Sequence, residues 1–340
     1  MGMRAARAVD GTIAVVDIDE TEPARDEVVV RIRACGVCHS DLHLARGDWA
    51  FAPASGPLGH EAIGVVERLG PGAERWVSIG DRVILGLGGA GGAYWCGACE
   101  FCIVGQPRHC VEARPVMGTL AERFTIWAPA LVVLPDSVGD LEAPLACGGL
   151  TAYSAVKKLH DHGIDPGTPV AVVGAAGGLG HYAVQLATAF GYRVVGVDMG
   201  AERLEFVRSL GAEWAVDPDG AGELAASLGG ARASLVFAAS IGGYRLGFEM
   251  LRKRGLWVGV GLPATDQGPF SVAPFELFAT DPTIVFSAVG TVQEMRELVD
   301  LTARGVVRTH VSRVGTLDEA AAVFDELEAG AYLGRGVITL

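Results

Sequence analysis

The sequence predicts an α/β protein in two parts: a mainly β, turn-rich amino-terminal domain and, behind it, a doubly wound parallel sheet. Three observations carry this reading. At 340 residues the chain exceeds the roughly 250–300 residues at which single cores stop growing. From Thr151 onward, apolar strands alternate with helical stretches, the pattern of parallel strand–helix–strand units. All seven cysteines, at positions 35, 38, 96, 99, 102, 110 and 147, precede that change of texture. Cysteine used as small core filler would be scattered through both halves.

Half the residues are hydrophobic and 20% are charged, which suits a large core and excludes disorder. A formal charge of −13 argues against a nucleic-acid partner, which needs a concentrated basic surface. No run of 18 apolar residues exists, so neither a transmembrane helix nor a membrane partner is expected. Residues 1–10 carry Arg4 and Arg7 with no apolar stretch behind them and do not read as a signal peptide. The expectation is a cytoplasmic protein. There thiols stay reduced, and clustered cysteines point to metal rather than disulfides.

The elements follow from local pattern. Residues 27–35 alternate β-branched residues with arginines, as a half-buried strand does; 61–69 and 81–87 read as further strands. Pro53, Pro57, Pro71-Gly72 and the glycine-rich run 88–92 punctuate this first domain, which spans 1–150. Residues 151–160 read as helix and Asp165-Pro166-Gly167 as a turn. Strands are expected at 169–173, 192–198, 234–239, 256–261 and 283–289, and helices at 179–190, 201–210, 243–253 and 292–303. The tail to Leu340 is mixed, and 220–230 is merely rich in Gly and Ala.

Two groups of metal-capable residues stand out. Cys96, Cys99, Cys102 and Cys110 offer four soft ligands in a short stretch, which is the composition of a closed, tetrahedral, structural zinc site. The stretch Cys35-Gly36-Val37-Cys38-His39-Ser40-Asp41-Leu42-His43, followed by Gly59-His60-Glu61, is dense in thiol, imidazole and carboxylate. An open catalytic zinc takes three protein ligands and keeps a place for water or substrate. Cys38, His60 and Cys147 supply two thiolates and an imidazole, with Cys147 at the boundary between the domains, while Cys35 on the strand reads as a buried thiol.

The run Gly174-Ala175-Ala176-Gly177-Gly178-Leu179-Gly180 lies between a strand and a helix. There small residues let the backbone approach a pyrophosphate, and the helix N-terminus supplies free N–H groups. The G-x-G-x-x-G spacing is imperfect. Ending at Gly180, its first glycine falls on Ala175, whereas Gly178-x-Gly180-x-x-Ala183 fits a looser form; an ordinary tight turn is the competing reading. Asp198, 18 residues past Gly180 at the end of the next strand, is placed to bind adenosine-ribose hydroxyls and to repel a 2′-phosphate. NAD is therefore favoured over NADP, with Arg203 as a softening influence.

With Cys38, His60-Glu61, the four-cysteine lobe, Cys147, Gly174–Gly180 and Asp198 in this order, the chain resembles the zinc-dependent medium-chain alcohol dehydrogenases. It looks closest to the short-loop, yeast and bacterial NAD-dependent branch, which it matches at Cys35–His43, Gly47-Asp48-Trp49 and Ser287-Ala288-Val289-Gly290-Thr291 as well. The resemblance implies a GroES-like catalytic domain over 1–150, a Rossmann NAD-binding domain over 151–287, and a return of 288–340 to the first domain. It implies two zinc ions per chain, one catalytic on Cys38, His60 and Cys147 and one structural on Cys96, Cys99, Cys102 and Cys110. By the same resemblance, Ser40 accepts the substrate hydroxyl proton and passes it through the cofactor ribose to His43. Asp41 orients His60, and Glu61 exchanges with a ligand during turnover. His39 and Arg335 contact the cofactor phosphates, Asp198 and Arg203 the adenosine ribose, and Val260-Gly261-Leu262 with 287–291 the nicotinamide. His160, His162, His181 and His310 match nothing catalytic and read as solvated or locally hydrogen-bonded.

The implied reaction is reversible hydride transfer between a small-molecule primary or secondary alcohol and NAD, by a homo-oligomer, with a tetramer favoured over a dimer. Competing readings are a polyol or other specialised medium-chain dehydrogenase, against which Cys147 argues, and a catalytically silent cofactor-binding relative. One departure bears on substrate. The tryptophan that narrows the alcohol pocket of yeast-like enzymes, about five residues before the first lobe cysteine, is replaced by Gly91, or by Leu87 when counted forward from Asp81-Arg82. Trp49, Leu87, Trp95 and Val289 are the candidate pocket residues. Secondary, branched or aromatic alcohols are expected to outperform ethanol; a kinetic panel in which ethanol has the highest kcat/KM would sink that expectation.

Overall fold

The computed structural model describes residues 2–49, 55–85 and 92–340, with backbone alone for Gly92 and Ala93. Leu87 and Gly91 of the pocket argument lie outside the described residues. The chain divides into two compact units, Met1–Leu150 with Val289–Leu340, and Thr151–Ala288. No helix among the described residues is long and apolar enough to cross a membrane.

The first unit opens with a hairpin, Gly2–Val9 against Thr12–Asp19, that hydrophobic pattern alone did not reveal. Asp10 and Gly11 turn it with φ of 49° and 78°, the geometry that Asp-Gly supplies in a two-residue turn. The main sheet has seven strands. They run Leu131–Val133, Arg82–Leu85, Ala62–Leu69, Glu27–Val37, Arg335–Thr339, Val311–Thr316, with Arg123–Trp127 also paired to Glu27–Val37. Glu27–Val37 is its centre, and Val28, Val29, Val30, Ile32 and Ala34 on it are buried. It runs two residues beyond the expected 35 because Gly36 and Val37 find a partner at the far end of the chain, Val337 and Gly336. Short antiparallel strands Gly92–Tyr94 and Arg114–Pro115 flank the four-cysteine lobe.

The second unit is a six-stranded sheet with every pairing parallel, in the order Trp214–Val216, Arg193–Val197, Pro169–Val173, Ala231–Val236, Leu251–Gly259, Thr283–Phe286. Numbered along the chain this is 3-2-1-4-5-6, the Rossmann arrangement, and the order reverses between the first and fourth strands. The near-continuous apolar sequences of the three central strands, Arg193–Val197, Pro169–Val173 and Ala231–Val236, follow from burial on both faces.

Three element expectations are corrected. The helix expected over 243–253 stops at Glu249, and Leu251 already begins a strand paired with Ala231. Arg252, Lys253 and Arg254 are exposed on that strand, so no apolar alternation announces it. The strand expected over 283–289 ends at Phe286. The Gly/Ala-rich stretch contains a helix, Pro218–Ser227, with Pro218 at its first position and Ala221 and Ala225 packed inward four residues apart; the Asp217 carboxylate before it accepts the Gly200 amide at 3.1 Å rather than capping the helix.

Trp257 anchors the core of this unit. It is fully buried, its ring stacks on Phe270 with centroids 5.2 Å apart, and it meets Tyr244 and Phe286 edge-on. Its indole N–H donates to Tyr244 O at 3.2 Å, which satisfies the one polar group the ring brings inside. Trp257→Ala is expected to lower stability by about 3–5 kcal/mol, the usual cost of a large buried cavity. Chemical denaturation checks this, and a loss below about 1 kcal/mol would show that the cluster collapses to fill the space.

Candidate active site and metal centres

The Glu27–Val37 strand delivers Cys38 at its end, where it becomes the N-cap residue of helix His39–Arg46. Antiparallel pairing of Cys35 with Ala62 brings the start of the neighbouring strand, His60 and Glu61, alongside. The Gly36 amide donates to Glu61 O at 2.7 Å. A methyl at Gly36 would lie 2.0 Å from Glu61 Oε2, so this position accepts only glycine. Cys147 arrives from the end of the Asp140–Ala146 turn, immediately before helix Gly148–Asp161. Donor atoms of Cys38, His60, Glu61 and Cys147 all fall within 4.8 Å of one another.

Asp41 fixes this arrangement. Completely buried in the first turn of the helix, its Oδ1 accepts from the Gly59 amide at 2.8 Å and from His60 Nδ1 at 3.1 Å. With Nδ1 so occupied, Nε2 is the imidazole's remaining donor atom, as a metal-ligating histidine requires. Hydrogen bonding to Cys147 holds the Cys38 thiol well below its ordinary pKa, and the reciprocal bond holds Cys147 well above it. Burial opposes a charge on His60, but Asp41 and Cys147 outweigh it and raise the ring's pKa. Burial pushes the Glu61 carboxyl up to about 7 against the pull of Arg335. Two thiols, an imidazole and a carboxylate crowded with their charges unresolved are the chemistry of a site completed by a divalent cation. The donor set fits zinc.

Arg335 opens the last strand and is 3% exposed. Its Nη2 donates to Glu61 Oε2 and, at 3.0 Å, to Val37 O. The resemblance implies a phosphate contact at this position; the structure shows a buried partner of Glu61. Cys35 is the packed thiol expected of it: fully buried, 3.3 Å from Thr119 Oγ1, with its pKa pushed up to about 12 by burial.

The second cluster, Cys96, Cys99, Cys102 and Cys110, likewise has its sulfurs within 4.8 Å of one another. Backbone amides point at the sulfurs. Cys99 N and Ala98 N donate to Cys96 Sγ at 3.3 and 3.5 Å, and Cys96 N and Glu112 N to Cys110 Sγ at 3.2 and 3.4 Å. Amide donors stabilise thiolates, and backbone donors lower the Cys99 thiol to about 6. Four sulfurs with no further donor match a closed zinc site.

Ser40 is half-buried in the first turn of helix His39–Arg46, and His39 beside it is exposed. His43 lies on the last turn, its Nδ1 2.8 Å from Asp48 Oδ2 and its ring centroid 5.0 Å from that of Trp49. Trp95 packs edge-on against Trp127 at 4.9 Å. Val289 is half-buried with φ of 48°, a strained value for a β-branched residue.

In the second unit the glycine turn joins strand Pro169–Val173 to helix Gly180–Ala189. Gly174 has φ of 82°, and a methyl on Gly180 would lie 2.0 Å from Gly174 O. The glycines this turn demands are therefore Gly174 and Gly180, with Gly177 between them. The alternative register through Gly178 and Ala183 is not the one the backbone needs: Ala183 is an interior helical residue. Leu179 precedes the helix with no side-chain acceptor, and the amides behind it turn to the loop's own carbonyls, His181 N donating to Gly177 O and Tyr182 N to Leu179 O, both at 3.2 Å. Asp198 Oδ2 accepts the Ala176 amide at 2.8 Å and Oδ1 that of Met199 at 2.9 Å, with Arg203 3.9 Å away. Across the strand-order reversal, Val260 N and Gly261 N both donate to Val236 O at 3.0 Å. A methyl on Gly261 would strike Phe237 O at 2.3 Å, while Leu262 is half exposed. His181, expected to be solvated or locally bonded, is wholly buried, with Nδ1 3.1 Å from Gly177 O.

Sequence reasoning missed the Arg335–Glu61 pair, the Cys35–Thr119 contact and Asp48 beside His43. The first two join residues remote in sequence and leave no local signal. Asp48 was visible only as part of Gly47-Asp48-Trp49.

A cluster of two thiols, an imidazole and a carboxylate in one unit and a Rossmann sheet in the other are features of the metal-dependent dehydrogenase class, and comparison with known proteins narrows it. Residues 24–136 match the alcohol dehydrogenase GroES-like domain, and residues 178–304 match the zinc-binding dehydrogenase domain. An alcohol dehydrogenase of Geobacillus stearothermophilus is 37% identical over 96% of both chains, and one of a Moraxella strain is 34% identical over 96% of both. The crystal structure of the alcohol dehydrogenase of Aeropyrum pernix superimposes with a TM-score of 0.88 at 32% identity, covering 99% of this chain and 100% of that one. The chain belongs to the zinc-dependent medium-chain alcohol dehydrogenase family.

Cys147→Ser is expected to weaken the buried site while leaving the four-cysteine lobe loaded, and Cys99→Ser to do the reverse. Zinc per chain, measured by elemental analysis, should fall from two to one in each variant, with alcohol oxidation abolished in the first. Retention of two zincs by Cys147→Ser would contradict the ligand assignment.

Proposed function

We propose that the protein is an NAD-dependent alcohol dehydrogenase carrying one catalytic and one structural zinc, and that it interconverts primary or secondary alcohols and their carbonyls. The observation that carries this is the Cys38–His60–Glu61–Cys147 cluster backed by Asp41, in a chain whose second unit ends its second strand on Asp198. Cys38, His60 and Cys147 would hold the catalytic zinc, which when bound would supply Lewis acidity toward an alcohol oxygen. Asp41 holds His60 in the ligating tautomer. Arg335 balances Glu61, so the carboxylate beside the ligands is available without adding an uncompensated charge. Ser40 takes the hydroxyl proton, and His43 carries it toward solvent. Gly174, Gly177, Gly178, Leu179 and Gly180 admit a pyrophosphate against the backbone of the turn that starts helix Gly180–Ala189. His39 gives a further phosphate contact. Asp198 takes the ribose hydroxyls and disfavours NADP, while Val260, Gly261 and Leu262 border the nicotinamide. Trp49 and Trp95 limit a pocket wider than an ethanol site.

The assembly is a homo-oligomer, with the tetramer as the working expectation. Thr283–Phe286 is the edge strand of the parallel sheet, and Ile284, Phe286, Phe275 and Phe278 on and beside it are 39%, 58%, 81% and 86% exposed. A bare apolar edge is a pairing template that folded proteins cover, and a second copy offers the same edge. Light scattering that reports a monomer would exclude this.

The decisive assay follows NADH absorbance with alcohol in excess, before and after a zinc chelator. Turnover with NAD that exceeds turnover with NADP and collapses on chelation is the expected outcome. Cofactor binding without turnover by protein that retains both zincs would identify a catalytically silent relative instead.

A further inference from the structure

Helix His39–Arg46 does not run on past His43 by more than a turn. Gly47 closes it at φ of 70°, a left-handed conformation that costs glycine nothing. The chain then doubles back, and the Asp48 amide donates to His43 O at 3.0 Å. That reversal lays the Asp48 side chain along the His43 ring, Oδ2 at 2.8 Å from Nδ1. Trp49 packs on the ring at 5.0 Å. His43 is 15% exposed and Asp48 34%, so the carboxylate meets water and the imidazole largely does not. Nε2 of His43 is buried and bonded to nothing among the described residues.

A carboxylate can only accept, so the proton in this contact belongs to Nδ1. The neutral ring is thereby held as the Nδ1–H tautomer, with the lone pair on Nε2, the one atom of the ring that is buried and unengaged. We propose that Asp48 is a positioning residue for proton release: it fixes His43 in the tautomer and orientation in which Nε2 accepts the proton arriving from Ser40. The inference rests on the reading of His43 as the proton carrier. In alcohol oxidation the hydroxyl proton moves to Nε2, the ring becomes an imidazolium balanced by the Asp48 carboxylate, and loss of a proton to solvent restores the neutral pair. The hydride is disposed of by the dehydrogenase reaction itself, so no further reactant is needed. The arrangement parallels Asp41 behind His60: one helix carries two histidine–carboxylate contacts, one serving a metal ligand and the other a base.

A residue that acts only through His43 has no effect once His43 is gone, which a double-mutant cycle detects. Asp48→Ala and Asp48→Asn are made in the otherwise unaltered protein and in His43→Gln, and kcat/KM for alcohol oxidation is measured with zinc content as a control. Removing a carboxylate that orients a histidine characteristically costs about 10–100-fold, and a loss of about tenfold is expected for Asp48→Ala. Asp48→Asn, whose amide oxygen still accepts from Nδ1–H, should recover most of it. In the His43→Gln background both substitutions should change the rate by less than about twofold. Equal losses in both backgrounds, or no loss in the first, would overturn the proposal and leave Asp48 a turn residue. If His43→Gln alone is fully active, the proton-carrier reading falls, and this inference with it. Should Asp48→Ala fail to fold, the Asp48→Asn cycle decides the matter alone.

Discussion

The register of the Glu27–Val37 strand is the constraint on which the active site depends. This strand pairs antiparallel on both sides, Cys35 with Ala62 and Val37 with Gly336. Antiparallel pairing sets the end of one strand beside the start of the next, so the residue after Val37 meets the residues before Ala62 and before Gly336. Those are Cys38, His60-Glu61 and Arg335. A shift of one residue would turn each of these side chains to the opposite face of the sheet. Ile32 and Ala34 are buried where Arg31 and Arg33 are not, and a slip would exchange them, which opposes that shift.

Once assembled, the cluster is an electrostatic problem that the protein solves by layers. Asp41 stabilises His60, Arg335 stabilises Glu61, and hydrogen bonding to Cys147 lowers the Cys38 thiol. All but the half-buried Cys147 are buried, and an isolated charge there would be costly. Compensation by neighbours is partial, which leaves the donors poised for a cation rather than collapsed into a neutral salt-bridged core. The four-cysteine lobe faces the opposite condition. It lies nearer to solvent, its thiolates are stabilised by backbone amides, and it has no open donor for chemistry.

The cofactor unit is organised by close backbone approach instead. Gly174, Gly180 and Gly261 sit where a methyl would strike a main-chain atom, because the first and fourth strands and the helix above them converge at the strand-order reversal. Asp198 closes the same turn through the Ala176 amide and so stiffens it.

Much of this was legible in the order of residues. Cysteine spacing marked the two groups of sulfur donors that the fold gathers, and the glycine run marked the turn behind the first strand of the second unit, because donor clusters and tight turns impose local chemistry that survives as local sequence. Strand–helix alternation likewise marked the Rossmann sheet. What only the tertiary structure decided was long-range or conformational. Arg335 reaches Glu61 through strand pairing across nearly the whole chain, which no local pattern encodes. Leu251–Gly259 begins as a strand despite three exposed basic residues, because a parallel neighbour and not its own periodicity holds it. Asp48 becomes the partner of His43 only because Gly47 adopts a left-handed turn. Sequence specified which groups were present and what they could bind; packing and hydrogen-bond register decided which of them meet.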